Sequence, residues 1–80
     1  MTLKDLKIGQ SALVKRIKGE GPLRRRLIDM GVTPGTRIMI DKVAPFGDPI
    51  KVVLRGYDLS LRKSDAQMIE IVEDSVEVGS

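Results

Sequence analysis

Apolar and polar residues alternate with a period of two along much of this chain. In the stretch 37–43, Ile38 and Ile40 alternate with Arg37 and Asp41, which is typical of a strand with one face in water. Alternation of this kind, together with aliphatic and β-branched runs, predicts five short strands. They lie at residues 10–18, 37–43, 50–55, 59–62 and 68–72.

One stretch follows a helical period instead. Leu23, Leu27 and Met30 fall on a single stripe when residues are placed about 100° apart. Pro22 suits the first turn of a helix and Gly31 suits the position just after its end, so a helix is predicted between them.

The opposite face of this helix carries charge. Three consecutive arginines, Arg24, Arg25 and Arg26, are followed by Asp29. Ile28 falls off the apolar stripe, so we predict that it is exposed and available as a contact residue.

Turn residues separate the strands. Pro34 and Gly35 occupy the central positions of a type II pattern. Residues 44–49, APFGDP, predict a rigid loop, and residues 56–58 predict the turn between the third and fourth strands.

Two further short helical turns are predicted near the ends. Leu3 and Leu6 have a helical spacing ahead of the first strand, and Ser64 and Gln67 have the spacing of a capping box before the last. The predicted fold class is mainly β: a small five-stranded barrel with one α-helix after the first strand and a short helical turn before the last strand. Closure of the barrel would remove exposed strand edges.

The composition bounds the size and the compartment. The chain has 80 residues, 41% of them hydrophobic, which suits one small core. We predict one domain over residues 1–74 and a flexible acidic tail over residues 75–80. No apolar run exceeds three residues, so neither a membrane span nor a signal-peptide core is predicted. The absence of cysteine is compatible with a cytoplasmic location.

The charge is unevenly distributed. All 14 basic residues lie at or before Lys63, so residues 1–69 carry 14 − 7 = +7 and the remainder carries −4. A basic body of this kind suits an anionic partner, but for charge asymmetry alone a solvated surface with a frayed tail is the favoured interpretation.

The chain contains neither histidine nor cysteine. The commonest general base near neutral pH is therefore missing, and so are the usual imidazole and thiolate ligands of transition metals. We expect no enzyme activity, no cofactor and no dedicated metal site. Carboxylates such as Glu70, Glu73 and Asp74 could hold Fe²⁺ only weakly.

These landmarks together resemble the FeoA family of bacterial ferrous iron transport accessory proteins. The matching segments are LRRRLIDMGVTPGT at 23–36, APFGDPI at 44–50, RGYDLSLR at 55–62 and DAQMIEI at 65–71, preceded by Gly9. The resemblance covers nearly the whole chain and implies an SH3-like barrel in the cytoplasm. It also implies a partner, the FeoB-type ferrous iron permease with its cytosolic GTP-binding domain, which could recruit the chain to the inner face of the plasma membrane.

With this resemblance, two segments become candidates for binding the permease. They contribute Arg24, Arg25, Arg26, Ile28 and Asp29 from the helix, and Pro45, Phe46, Gly47 and Asp48 from the loop. The simpler interpretation of the arginines is the solvated side of an amphipathic helix. For Phe46, burial as a cap on the barrel end is favoured over projection towards a partner.

A different function stays open as the alternative. The same domain type occurs at the C-terminus of iron-dependent repressors, which suggests a regulatory or nucleic-acid-associated barrel. Phe46 and Tyr57 are the only aromatic residues, whereas single-strand binders stack bases on several rings, so no nucleic acid is expected. Membrane insertion is not expected either, and self-association is left open.

Overall fold

The computed structural model describes residues 1–73 of the chain. Within this range it contains a five-stranded sheet, two α-helices and one 3-10 turn. In chain order these are the 3-10 turn Leu3–Asp5, β1 (Ser11–Ile17), α1 (Pro22–Asp29), β2 (Arg37–Val43), β3 (Ile50–Leu54), β4 (Tyr57–Leu61), α2 (Lys63–Met68) and β5 (Ile69–Glu73).

The sheet is antiparallel throughout and is curled by two irregularities. Its strands pair in the order β4-β3-β2-β1-β5. The register shifts between Val14 and Arg16 where β1 meets β5, and between Ile40 and Lys42 where β2 meets β3. Because an extra residue on one strand bends it and increases its twist, these two shifts help to wrap the sheet around one core.

The core lies inside the curled sheet and beneath the helices. Alternate positions of β2 and β3 point inward, as the period-two pattern predicts. The largest fully buried side chains are Leu3, Leu27, Ile38, Ile40, Leu54, Leu61, Ile69, Val32 and Val52.

The helix α1 begins at Pro22, and its chain turns away at Gly31, as predicted. Gly31 has φ +97 and donates its N–H to the Ile28 carbonyl at 2.9 Å, a backbone conformation that only glycine adopts without strain. Leu27 is fully buried at the centre of the apolar stripe. The predicted exposure of Ile28 is wrong: this side chain is half-buried against the core, because it lies only about 100° around the helix from Leu27.

Several predicted strand boundaries move by one or two residues. The turn between β3 and β4 is formed by Arg55 and Gly56, with φ 50 and 82, and Leu54 pairs directly with Tyr57. Positive φ at both central residues is the geometry that matches the strand twist in two-residue hairpins. The last strand likewise begins at Ile69 rather than at residue 68.

The predicted helical turn before the last strand is the helix α2, but a different pair of residues caps it. Arg62, not Ser64, is the residue before the helix, and Asp65 accepts the Arg62 backbone N–H at 3.0 Å. The predicted type II turn shows its expected hydrogen bond, from the Thr36 N–H to the Thr33 carbonyl at 3.0 Å.

The predicted tail at residues 75–80 and the predicted domain end at residue 74 lie outside the described residues. None of the helices found within residues 1–73 has the length and apolarity needed to cross a membrane.

Candidate partner-binding surface

The three arginines of α1 differ in what they contact. Arg26 donates from Nη2 to both carboxylate oxygens of Asp65 in α2, at 3.2 and 3.3 Å. Arg24 and Arg25 are exposed and have no hydrogen-bond or ion-pair partner among residues 1–73. Arg26 therefore fastens one helix to the other, while its two neighbours keep free guanidinium groups.

Asp65, the buried partner of Arg26, also caps the helix α2. Asp65 is 4% exposed, and its Oδ2 also accepts the Arg62 N–H at the start of α2. A buried carboxylate is costly unless its oxygens are hydrogen-bonded, and here one backbone N–H and one guanidinium supply those bonds. This pairing fixes where α1 lies relative to α2.

The free arginines stand beside a shallow, open depression at the start of α1. Gly19, Glu20 and Gly21 line it together with Arg24 and Arg25. Asp29 is also exposed and lines a neighbouring depression with Arg25. We call this region the arginine face, defined by Arg24, Arg25, Asp29 and the segment 19–21.

The loop between β2 and β3 presents Phe46 directly to solvent. The side chain is 96% exposed, so the expectation that Phe46 caps the barrel end is wrong. The reason is local: the Gly47 N–H bonds to the Ala44 carbonyl at 2.7 Å, which closes a tight turn with Pro45 and Phe46 at its tip. A residue at the tip of the loop between β2 and β3 points away from the barrel.

The base of this loop is held firmly. The Ala44 N–H donates to the Pro49 carbonyl at 3.1 Å. Asp48 accepts the Lys63 N–H, the first of α2, at 3.0 Å. This bond ties the loop to the start of α2.

The helix α2 links the two segments that the sequence singles out. Its first residue, Lys63, is bonded to Asp48 of the loop; its middle residue, Asp65, is bonded to Arg26. Its last residue, Met68, accepts the Lys18 N–H at 2.6 Å, just before the arginine face. Six residues of α-helix span about 9 Å, so the structure brings the loop and the arginine face to neighbouring positions.

The far end of α1 is held by the hairpin between β3 and β4. Arg55 donates from Nη2 to the hydroxyls of Thr33 and Thr36, both at 2.9 Å, and from Nε to the Gly31 carbonyl at 3.3 Å. The Tyr57 hydroxyl donates to the Met30 carbonyl. The helix that carries the arginine face is thus anchored at its middle and at its end.

Comparison with known proteins identifies the family of this chain. The family model described as the FeoA domain matches residues 1–73. The chain belongs to the FeoA family. A curated relative, the Fe(2+) transport protein A/Fe(2+) transporter FeoB fusion protein of Porphyromonas gingivalis (strain ATCC BAA-308 / W83), is 37% identical over 71 residues. Those residues are 89% of this chain and 8% of that protein, so the FeoA chain spans only a small part of its relative.

Solved structures of other FeoA proteins share the architecture. A FeoA-like protein from Clostridium acetobutylicum is 43% identical, with a TM-score of 0.86 over 92% of this chain and 86% of that one. FeoA of Stenotrophomonas maltophilia, complexed with zinc, is 26% identical, with a TM-score of 0.80 over 90% of this chain and 89% of that one. That protein is described as a procaryotic SH3 domain protein and a candidate ferrous iron transport activating factor. The predicted mainly β, SH3-like fold is confirmed.

A manganese-dependent transcriptional repressor also contains this fold. It is 24% identical, with a TM-score of 0.83 over 91% of this chain and 36% of that one. At this identity the likeness concerns the fold alone. Within the part of the chain that the structure describes, no three His, Cys, Asp or Glu residues are grouped to hold a metal ion.

Sequence patterns missed a second charged cluster in this FeoA chain. Glu70 of β5 lies within 3.4 Å of Lys15, 3.2 Å of Arg16 and 3.8 Å of Lys18, and its side chain is only 14% exposed. Partial burial acts to raise the pKa of Glu70, but hydrogen bonds and charges from Arg16 and Lys15 outweigh it, so the pKa is lowered. The sequence signal for this cluster is the basic stretch before Gly19, formed by Lys15, Arg16 and Lys18. Nothing in that stretch identifies its partner Glu70, which lies 54 residues beyond Arg16.

Proposed function

We propose that this FeoA chain is a non-enzymatic, cytosolic adaptor that binds the cytosolic part of a FeoB-type ferrous iron permease. The observation that carries the proposal is the Porphyromonas gingivalis relative, in which a segment 37% identical to most of this chain belongs to a fusion with the transporter FeoB. Two units that occur as one polypeptide in a relative are good candidates for association when they are separate chains.

The chemistry of the chain supports a binding role rather than catalysis. It has no histidine and no cysteine, and its buried carboxylate, Asp65, is fully engaged in structural hydrogen bonds. The free cations of the arginine face have the planar, forked donors that suit carboxylates and phosphates. An acidic surface on the permease is therefore the expected counterpart of Arg24 and Arg25.

A rigid module could regulate the permease by binding one of its conformations more tightly than another. A ligand shifts such an equilibrium only by its difference in affinity for the two states. The anchoring of α1 through Asp65, Arg55 and Tyr57 favours this mode, because a fixed helix discriminates between partner shapes without first becoming ordered itself. Recruitment to the inner face of the plasma membrane would follow from the same contact.

The test is calorimetric titration of the purified chain with the cytosolic domain of its permease. We expect saturable binding for the wild type and at least about tenfold weaker binding for the double variant Arg24→Ser/Arg25→Ser. The charge-matched control, Lys7→Ser/Lys42→Ser, removes two exposed positive charges outside the arginine face that also have no ion-pair partner among residues 1–73. It should bind within about threefold of the wild type. Equal affinity for all three proteins would remove the arginine face from the proposal.

A further inference from the structure

The loop at residues 44–49 presents a single apolar side chain on a fixed support. Phe46 is 96% exposed, yet the turn beneath it is closed by the bond from the Gly47 N–H to the Ala44 carbonyl, and Asp48 ties it to α2. Full exposure of a phenyl ring is unfavourable in water. A rigid loop that nevertheless holds the ring outward points to a ligand that covers it.

Positive charge surrounds the base of this loop. On one side, Lys4 and Lys63 border a groove of about 260 Å³ that Gly47 also lines. On the other side, Lys42 and Lys51 border a second groove beside Ala44. Two carboxylates lie nearby. Asp58 and Lys51 neutralise each other as an ion pair at 3.2 Å, and Asp48, which accepts the Lys63 backbone N–H, keeps one negative charge against the three positive charges of Lys4, Lys42 and Lys63.

The cationic collar argues against a second copy of this chain as the ligand. If the loops of two copies faced each other, the lysines of one would meet the lysines of the other, and like charges oppose such contact. An anionic ligand is favoured by the same charges.

The shape of the patch favours a lipid surface over an acidic protein. Protein interfaces bury on the order of 800 Å² per partner around an apolar centre. The apolar residues that line the groove beside the loop are themselves buried, namely Leu3, Leu6, Ile40 and Ile50, and Val43 is 37% exposed. The apolar surface that a partner can reach is therefore mainly the Phe46 ring, which is 96% exposed. A bilayer needs no matching pocket, and its interface accepts an aromatic ring below anionic headgroups while lysines reach the phosphates.

We infer that Phe46 and the collar of Lys4, Lys42 and Lys63 bind the surface of an anionic phospholipid bilayer, with the ring inserted among the headgroups. This contact is separate from the permease-binding role of the arginine face and does not depend on it. It also revises the expectation of no membrane insertion, which rested on the lack of long apolar segments. One ring and a few lysines should bind more weakly than the roughly 10⁴ M⁻¹ of a single myristoyl chain, so the contact is reversible.

The chain contains no tryptophan, which makes a site-specific probe simple. Phe46→Trp places the only indole at the loop tip, where no packing is disturbed. With vesicles of equal parts phosphatidylcholine and phosphatidylglycerol, its emission should shift to shorter wavelength. The shift should saturate with lipid, reverse on addition of salt, and be absent with phosphatidylcholine alone.

The matched control is Val72→Trp on β5, whose parent side chain is 43% exposed and lies two strands away from β2 in the sheet. Its emission should not change with either vesicle. An unchanged emission from Phe46→Trp at saturating lipid would overturn the inference, and so would equal shifts from both variants. A shift of the Phe46→Trp emission that requires the permease domain instead of lipid would assign the loop to a protein.

Vesicle co-sedimentation of unlabelled protein provides a second readout. Phe46→Ser should lower the partition coefficient about tenfold, and Lys42→Ser and Lys63→Ser should each lower it about fivefold. Ser substitution at Lys7, which is outside the collar, should leave it within twofold of the wild type. Retention of wild-type partitioning by Phe46→Ser would contradict the inference.

Discussion

Asp65 of α2 accepts hydrogen bonds from both the Arg26 guanidinium, at 3.2 and 3.3 Å, and the Arg62 backbone N–H, at 3.0 Å. One buried carboxylate therefore caps α2 and fixes α1 against it. The neighbouring Arg24 and Arg25 contribute nothing to this junction and are available to a partner. The arginine run thus divides into one structural residue and two candidate binding residues.

The first prediction concerns this junction. Asp65→Ala should lower the free energy of unfolding by about 2 kcal/mol, because it removes a helix cap and leaves Arg26 unpaired. Arg26→Ala should cost about 1 kcal/mol, since its side chain is already 56% exposed. Arg25→Ala should stay within about 0.5 kcal/mol of the wild type. Urea denaturation measures all three, and equal stability of the Asp65 and Arg25 variants would contradict the assigned roles.

A second prediction concerns Glu70 and acid. Its pKa is lowered in the folded chain from an ordinary value of 4.5, mainly through Arg16 and Lys15, which overcome the effect of burial. The carboxylate therefore stabilises the fold above its unfolded pKa, and this contribution is lost as the pH falls through the lower, folded pKa.

Glu70→Gln should accordingly flatten the acid limb of the stability curve. Urea midpoints measured between about pH 6 and about pH 3 should fall less steeply in the variant than in the wild type. The control is Glu20→Gln, which removes an exposed carboxylate that has no ion-pair partner among residues 1–73, and it should follow the wild type. Parallel curves for all three proteins would show that the Lys15–Arg16–Glu70 cluster has no energetic role.

A third prediction concerns the end of α1. Gly31 has φ +97, and a Cβ placed there would lie 2.8 Å from the Tyr57 hydroxyl oxygen. Gly31→Ala should therefore cost backbone strain of about 1 to 2 kcal/mol and, in addition, disturb the bond from Tyr57 to the Met30 carbonyl. Gly9→Ala is the matched control, because its φ is +88 and nothing lies within 4 Å of the added Cβ. Thermal unfolding should rank Gly31→Ala as clearly less stable than Gly9→Ala.

A fourth prediction concerns how little the exposed Phe46 side chain contributes to the free energy of unfolding. Phe46→Ser should change the free energy of unfolding by no more than about 0.5 kcal/mol, because the ring makes no core contact. Leu61→Ala, which truncates a side chain only 1% exposed, should cost about 2 to 5 kcal/mol. A large loss of stability in Phe46→Ser would mean that the ring packs against the protein after all.

The sequence predicted the elements well because their determinants are local. Period-two alternation located β2 and β3, and the Pro22 and Gly31 pair bounded α1 to within one residue. Boundaries moved where a single backbone conformation decides them. The turn at Arg55 needs a positive φ at a non-glycine residue, and no local sequence pattern predicts that conformation.

The candidate site was only partly predictable, because its contacts join residues far apart in the chain. Arg26 and Asp65 are 39 residues apart and Arg16 and Glu70 are 54 apart, and charge patterning alone does not select such partners. For Phe46, the sequence favoured burial as a cap on the barrel end over projection towards a partner. Its exposure depends on the tight turn closed by Gly47, which is a property of the folded loop.

An NMR titration shows directly whether the arginine face binds the permease, as we claim. Isotope-labelled FeoA chain would be titrated with the cytosolic domain of its permease, with and without a GTP analogue. We expect saturable shifts centred on Arg24, Arg25 and Asp29, which weaken in the Arg24→Ser/Arg25→Ser variant while its other resonances stay in place. Shifts centred elsewhere, or none at concentrations well above the expected dissociation constant, would contradict the claim.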